Sequence, residues 1–126
     1  MRKSIILSLF LLLFSVTAYA EYSDMPYDWS YESMSWAVES GIINGSDGKI
    51  YPDGYMTRAG QAAVLARYAR QNELFAENGE AYTYTDADES DWFYADVCYM
   101  SAANIMNGDG ERFRPHDNVT REEAVA

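Results

Sequence analysis

Residues 28–63, DWSYESMSWAVESGIINGSDGKIYPDGYMTRAGQAA, and residues 91–126, DWFYADVCYMSAANIMNGDGERFRPHDNVTREEAVA, align without a gap at a constant offset of 63. Ten of the 36 positions are identical: Asp28/Asp91, Trp29/Trp92, Tyr31/Tyr94, Ile42/Ile105, Asn44/Asn107, Gly45/Gly108, Pro52/Pro115, Thr57/Thr120, Arg58/Arg121 and Ala63/Ala126. Few of these are generic core residues. They fall at turns and helix starts, where backbone geometry or surface chemistry selects the side chain. Self-similarity at a fixed period marks a repeat architecture. Asp24 and Asp86 join the pattern if one residue is inserted between each and its tryptophan.

Each repeat reads as helix, loop, helix, and the fold class expected is all-α. Asp28 and Asp91 suit N-cap positions, since a carboxylate accepts the free amides of a first helical turn. Tyr31, Met34 and Val38 then share one helical face, as do Tyr94, Val97 and Cys98. Gly41 and Asn104 follow these helices at equivalent positions, and both residue types tolerate the left-handed conformation that closes a helix. Asn44-Gly45 and Asn107-Gly108 sit in the loops between flanks too short for a confident strand pair. Pro52 and Pro115 delay regular helix until Thr57 and Thr120. Thr120-Arg121-Glu122-Glu123 is a capping box, whereas Gly60 leaves the first repeat's box incomplete. The first repeat's second helix is expected to bury Val64, Leu65, Tyr68 and Phe75 and to stop at Gly79. The second repeat's last helix is cut short at Ala126, so a C-terminal continuation is expected.

The order Asp24…Asp28-Trp29…Gly41-Ile42-Ile43-Asn44-Gly45…Tyr51-Pro52-Asp53-Gly54…Thr57-Arg58-Ala59 resembles an S-layer homology repeat. Asp86 to Ala126 resembles a second copy with a shortened end. The resemblance implies an all-helical fold, with three repeats usually set around a pseudo-threefold axis and grooves between them. It implies binding of a secondary cell-wall polysaccharide, often pyruvylated. The motif arginine is the family's usual contact to the acidic sugar, a role that falls here to Arg58 and Arg121. Asp28, Trp29, Asp91, Trp92, Gly45 and Gly108 are weaker carry-overs. Where the family pattern has glutamate after Thr-Arg-Ala, this chain has Gly60, and the second copy reads Thr-Arg-Glu-Glu.

The chemistry is reasonable on its own terms. A pyruvate ketal presents a carboxylate, which guanidinium engages with two parallel donors. A helix N-terminus favours the same anion. An indole can pack on the C–H face of a sugar. Against this stand plainer readings: solvated arginines, tryptophans anchoring the core at the helix start, and aspartates acting as caps.

At the N-terminus, Arg2 and Lys3, an apolar run over residues 5–16 and Ala18-Tyr19-Ala20 predict a signal peptide over 1–20, cleaved after Ala20. The run is too short to span a bilayer comfortably, so no stable membrane insertion is expected after cleavage. The further divisions expected are a first repeat at 21–75, a linker at 76–83 and a second repeat at 84–126. The full chain holds nine basic and 20 acidic residues, a net charge of −11; losing Arg2 and Lys3 makes it −13. Such a surface repels a phosphate backbone, so nucleic acid is a poor partner.

Cys98 is the single cysteine, so an intramolecular disulfide is excluded, and it reads as a small buried apolar residue. The lone His116 has no nucleophile partner in sequence. Neither zinc spacing nor a phosphate loop is present, and no cofactor is called for. Once glycine is set at its required place in a calcium loop, neither Asn-Gly segment supplies the terminal carboxylates. The run Asp86–Asp91 has Asp91 where that glycine belongs. The expectation is therefore a secreted, non-enzymatic wall anchor at the cell wall or S-layer of a Gram-positive-type bacterium. Two alternatives stay open: a self-assembling surface-layer protein, with other surface-layer subunits as partners, and the anchor of a larger secreted enzyme.

Overall fold

The computed structural model describes residues 22–76 and 83–125. The expected signal peptide, most of the linker, Gly79 and Ala126 lie outside the described residues. Four helices follow one another: α1 (Tyr31–Glu39), α2 (Arg58–Gln71), α3 (Tyr94–Ala102) and α4 (Arg121–Val125). Among the described residues pairing of extended backbone is confined to two isolated bridges, Ser46 with Lys49 and Thr57 with Asn118. The fold is all-α.

The helix ends follow local chemistry, with one correction. Thr57 caps α2, its hydroxyl accepting the Gly60 amide at 3.1 Å, although the glutamate that would complete a box is missing. Thr120 and Glu123 do form the reciprocal box: Thr120 N donates to Glu123 Oε2 at 2.9 Å, and Glu123 N donates to Thr120 Oγ1 at 3.2 Å. Asp28 and Asp91 are not N-caps. Those positions are Ser30 and Phe93, which make no side-chain cap bond. Asp28 Oδ1 instead accepts from Ser30 N and Ser30 Oγ, and Asp91 Oδ2 accepts from Asp88 N. Short carboxylates readily close such local turns, and here they do so just ahead of the helix.

Gly41 (φ 69°) and Asn104 (φ 56°) both adopt the left-handed conformation. Beyond them Ile42 N returns to Ala37 O and Ile105 N to Met100 O, each at 2.9 Å. α2 closes in the same way at Glu73 (φ 51°), well before Gly79, with Leu74 N bonded to Ala69 O. In the first loop the tight turn lies at Asp47-Gly48 rather than Asn44-Gly45: Ser46 and Lys49 exchange both backbone bonds at 2.9 Å.

The core lies between α2 and α3. α2 presents Ala59, Ala62, Ala66 and Ala69 to Phe93, Val97, Met100, Phe113 and Tyr84. Of the large residues expected on this face, Leu65 packs against the edge of the core and the others are displaced from it. Tyr68 and Phe75 are exposed, and Val64 and Leu65 are half-buried. The reason is steric, since a row of alanines lets α2 approach α3 closely enough for the second repeat's own aromatics to fill the gap. On α1 the buried residue is Ala37, while Tyr31 is exposed and Met34 and Val38 are half-buried. On α3 Val97 is buried as expected, but Tyr94 and Cys98 are only half-buried, and Met100 and Ser101 complete the inward face. Arg70 fastens the two helices at one end, ion-paired with Asp96 and stacked over the Tyr99 ring.

Candidate functional site

Both repeats build their loop with the same two clamps. Tyr22 OH accepts the Gly45 amide and Tyr84 OH accepts the Gly108 amide, each at 3.1 Å. Asp24 receives the amides of Ile50 and Tyr51, and Asp86 receives those of Phe113 and Arg114. Desolvation pushes both carboxyls up, but the paired amides outweigh it and hold each below the ordinary aspartate value. The second clamped residue in each loop is bent into the left-handed region without being glycine: Tyr51 (φ 52°) and Arg114 (φ 60°). Such a conformation is costly for a side chain with a Cβ. Two charge-assisted hydrogen bonds donated by backbone amides to the aspartate carboxylate offset that cost.

Gly45 and Gly108 serve this loop. A Cβ on Gly45 would lie 2.0 Å from Lys49 O and 2.6 Å from Tyr22 Cε1; on Gly108 it would lie 2.2 Å from Arg112 O and 2.6 Å from Tyr84 Cε1. Both glycines are required by close backbone approach.

Arg58, expected at a groove, lies at the seam between the repeats. It opens α2 yet is only 7% exposed. Its backbone N donates to Asp117 O at 2.9 Å, and the Ala59 amide donates to Pro115 O at 2.9 Å. Its Nε and Nη2 donate to Phe113 O and Asn107 O, both at 2.8 Å, and the guanidinium lies over the Phe113 ring. The remaining nitrogen, Nη1, lies 3.8 Å from Glu123 Oε1.

Arg114 reaches the same oxygen from the other side, with Nη2 at 3.6 Å. Its Nη1 lies 3.6 Å from Asp117 and its Nε 3.8 Å from Asp109. That Nε is shielded from solvent and has no hydrogen-bond partner among the described residues. The Thr120 amide, then the Thr120 hydroxyl and the two arginines, hold the Glu123 carboxyl below its ordinary value.

The other expected site residues are apart from this seam or plainly open. Arg121 is exposed at the start of α4. Trp29 is 93% exposed and Trp92 66%, so neither anchors the core. Phe93, next to Trp92, takes that place. Asp28 and Asp91 are engaged in their local turns. Among the described residues there is no cluster of metal-ligating side chains, and no helix is long and apolar enough to cross a membrane.

The family model of the S-layer homology domain matches residues 21–59 and 83–125, well over half the chain. This chain belongs to the S-layer homology family. Curated S-layer homology relatives include an amylopullulanase from Thermoanaerobacterium thermosulfurigenes, 28% identical over 91% of this chain and 6% of that protein. An exoglucanase, XynX, from Acetivibrio thermocellus is 29% identical over 83% of this chain and 9% of its own length. The S-layer protein sap of Bacillus anthracis is 26% identical over 79% of this chain and 12% of its own. This S-layer homology chain thus spans a small part of each relative, in enzymes and in a surface-layer protein alike.

Sequence reasoning missed Tyr22, Tyr84 and Arg114. The tyrosines carried a usable signal, because Tyr-x-Asp occurs at 22–24 and again at 84–86. Their offset of 62 rather than 63 hid them from an ungapped comparison.

Proposed function

We propose that this S-layer homology chain is a non-catalytic module that holds a secreted protein on the cell wall of a Gram-positive-type bacterium. Its ligand is a secondary cell-wall polysaccharide bearing a carboxylate, of which a pyruvylated sugar is the natural form. The observation that carries the reading is the seam, where Arg58 fixes two repeats together and leaves one guanidinium nitrogen beside the half-exposed Glu123 carboxylate. Exposed Trp29 and Trp92 suit the C–H faces of sugars, since an indole in water gains by covering an apolar surface. Arg121 supplies an exposed guanidinium at the start of α4. Asp28, Asp91, Gly45 and Gly108 act through the shape of the loops and turns that present these groups.

The test is retention of residues 21–126 on purified wall sacculi, before and after chemical extraction of the secondary polymer. Expected are binding to intact sacculi, its loss on extraction, and weakening by Trp29→Ala, Trp92→Ala and Arg121→Ala, all on exposed side chains. Equal retention on extracted walls would overturn the assignment. A second reading, assembly into a surface lattice, is favoured by the relatives that are themselves S-layer proteins. Ordered two-dimensional arrays of purified protein under the electron microscope would establish it.

A further inference from the structure

Each repeat's loop carries an Asn-Gly bond, Asn44-Gly45 and Asn107-Gly108. In this dipeptide the backbone nitrogen readily attacks the preceding side-chain amide, because glycine has no Cβ to obstruct the approach. Both asparagines are exposed, so packing shields neither side chain. The restraint lies on the nitrogen instead. Gly45 N donates to the Tyr22 hydroxyl and Gly108 N to the Tyr84 hydroxyl, each at 3.1 Å. Each glycine is also wedged against main chain, where a Cβ would lie 2.0 Å from Lys49 O or 2.2 Å from Arg112 O. Attack needs the nitrogen to give up its proton and its peptide plane to turn toward the asparagine, so it waits for the loop to open locally. The second loop is held more firmly. Tyr84 is buried, packs against Phe113 and shares its hydroxyl with Ser101 Oγ at 2.9 Å. Asn107 O also accepts Arg58 Nη2 at 2.8 Å. In the first loop Tyr22 is only half-buried, and the arginine bond falls two residues earlier, from Arg67 Nη1 to Ile42 O at 3.1 Å.

We propose that Asn44 is a site of spontaneous deamidation, and that the Tyr22 and Tyr84 hydroxyls are the groups that restrain this reaction, loosely in the first repeat and tightly in the second. The Gly45 nitrogen bonds to Asn44 Cγ and loses its proton, the Cγ–Nδ2 bond breaks, and ammonia leaves. Water then opens the cyclic imide at either carbonyl, giving aspartate or isoaspartate. Water is the only co-reactant, and nothing is oxidised or reduced. Both products add a negative charge to an already acidic surface. Isoaspartate also inserts an extra backbone carbon ahead of Gly45, which carries that amide away from Tyr22. The first loop is released while the second keeps its form, so the module ages at a defined bond. The inference stands apart from the wall-polysaccharide reading.

The experiment holds the full chain in mildly alkaline buffer, folded and in urea, and follows conversion at each asparagine by peptide mapping with mass spectrometry. Hydroxylamine, which cuts a chain at the imide, reports the intermediate at each bond. In urea the two Asn-Gly bonds convert at similar rates, since their local chemistry is alike. In the folded chain both are slower than in urea, and Asn44 converts at least about tenfold faster than Asn107, the scale of one hydrogen bond to a charged group. Tyr22→Phe keeps the ring and removes the hydroxyl. Conversion at Asn44 then rises about two- to tenfold, the scale of one neutral hydrogen bond, with Asn107 unchanged. The helical circular dichroism signal reports whether that variant is folded; if the signal is lost, the wild-type comparison between folded chain and urea decides alone. A folded-chain rate at Asn107 equal to or above that at Asn44 overturns the inference. So does the absence of any slowing relative to urea, or a folded Tyr22→Phe that converts no faster at Asn44.

Discussion

The two repeats share a motif but not a core. In the second, Phe93, Val97, Met100 and Phe113 are fully buried. Their counterparts in the first are Ser30, Met34, Ala37 and Ile50, of which only Ala37 is buried. The difference has a simple source. The second repeat is covered by α2, a helix that belongs to the first repeat by sequence. Among the described residues nothing comparable covers α1, which is linked to α2 through long side chains: Arg67 Nη1 donates to Ile42 O and Gln71 Nε2 to Ser40 O. Conserving a loop does not create a core; a neighbour must supply the other wall.

The largest expected effect is at Phe113, packed against Tyr84 and beneath Arg58. Phe113→Ala should cost about 3–5 kcal/mol in urea unfolding, the range for a large buried side chain truncated to alanine. Ile50→Ala, its counterpart in the first repeat, should cost well under half of that. Equal losses would mean that the first repeat has a core of its own.

Next comes the arginine pair. Arg58→Ala strands the buried Phe113 carbonyl and the part-buried Asn107 carbonyl and should lower stability by about 2–4 kcal/mol, as for loss of charged hydrogen bonds in a buried site. Arg121→Ala should leave the urea midpoint within error. A comparable loss at Arg121 would break the asymmetry between seam and surface.

Gly108→Ala drives a Cβ into main chain and should cost about 1–3 kcal/mol, as overpacking does. Gly45→Ala meets the same clash, but its loop lies outside the main core and can yield more easily. A smaller shift in melting temperature is expected there.

The smallest effect concerns acid. Asp24 and Asp86 are both held below the ordinary aspartate value, so their contribution to stability is full above that value. It is lost as pH falls through the depressed values. Asp86→Asn should flatten the acid limb of the stability profile more than Asp24→Asn, because Asp86 supports the better-packed loop. Identical acid limbs in the two variants would show that the clamps act independently of the core.

Much of this was legible in the sequence, and the gaps have physical causes. Gly41 with Asn104, and Thr57 with Thr120, were readable because their roles depend on residues three or four positions away. The capping box of Thr120 and Glu123 is of the same kind. Asp28 and Asp91 misled because an aspartate ahead of a helix can cap it or close a turn, and both choices satisfy the same carboxylate. The face of α2 was misread because size was taken as a sign of burial. Its alanines are inside because the partner brings the bulk, and that partner, Tyr84 and the residues from Phe93 to Phe113, lies in the second repeat. Trp29 and Trp92 were misjudged in the same way, since in the second repeat Phe93 already fills the core. The destination of Arg58 was invisible, because its acceptors lie 49 and 55 residues away and are main-chain oxygens, which carry no side-chain signature.

Those long separations bear on how the molecule comes into being. Domains tend to form from the N-terminal end as a chain is synthesised, and contacts distant in sequence form late. When residue 75 has emerged, α2 exists only as an alanine-faced helix with nothing to lie against. Arg58 must wait for Asn107 and Phe113 before its guanidinium finds a home. The folding unit is therefore shifted by half a period from the sequence unit. α2, the second helix of the first repeat, is finished by the repeat that follows, so these two repeats close like a zip whose teeth are one step out of register with its links.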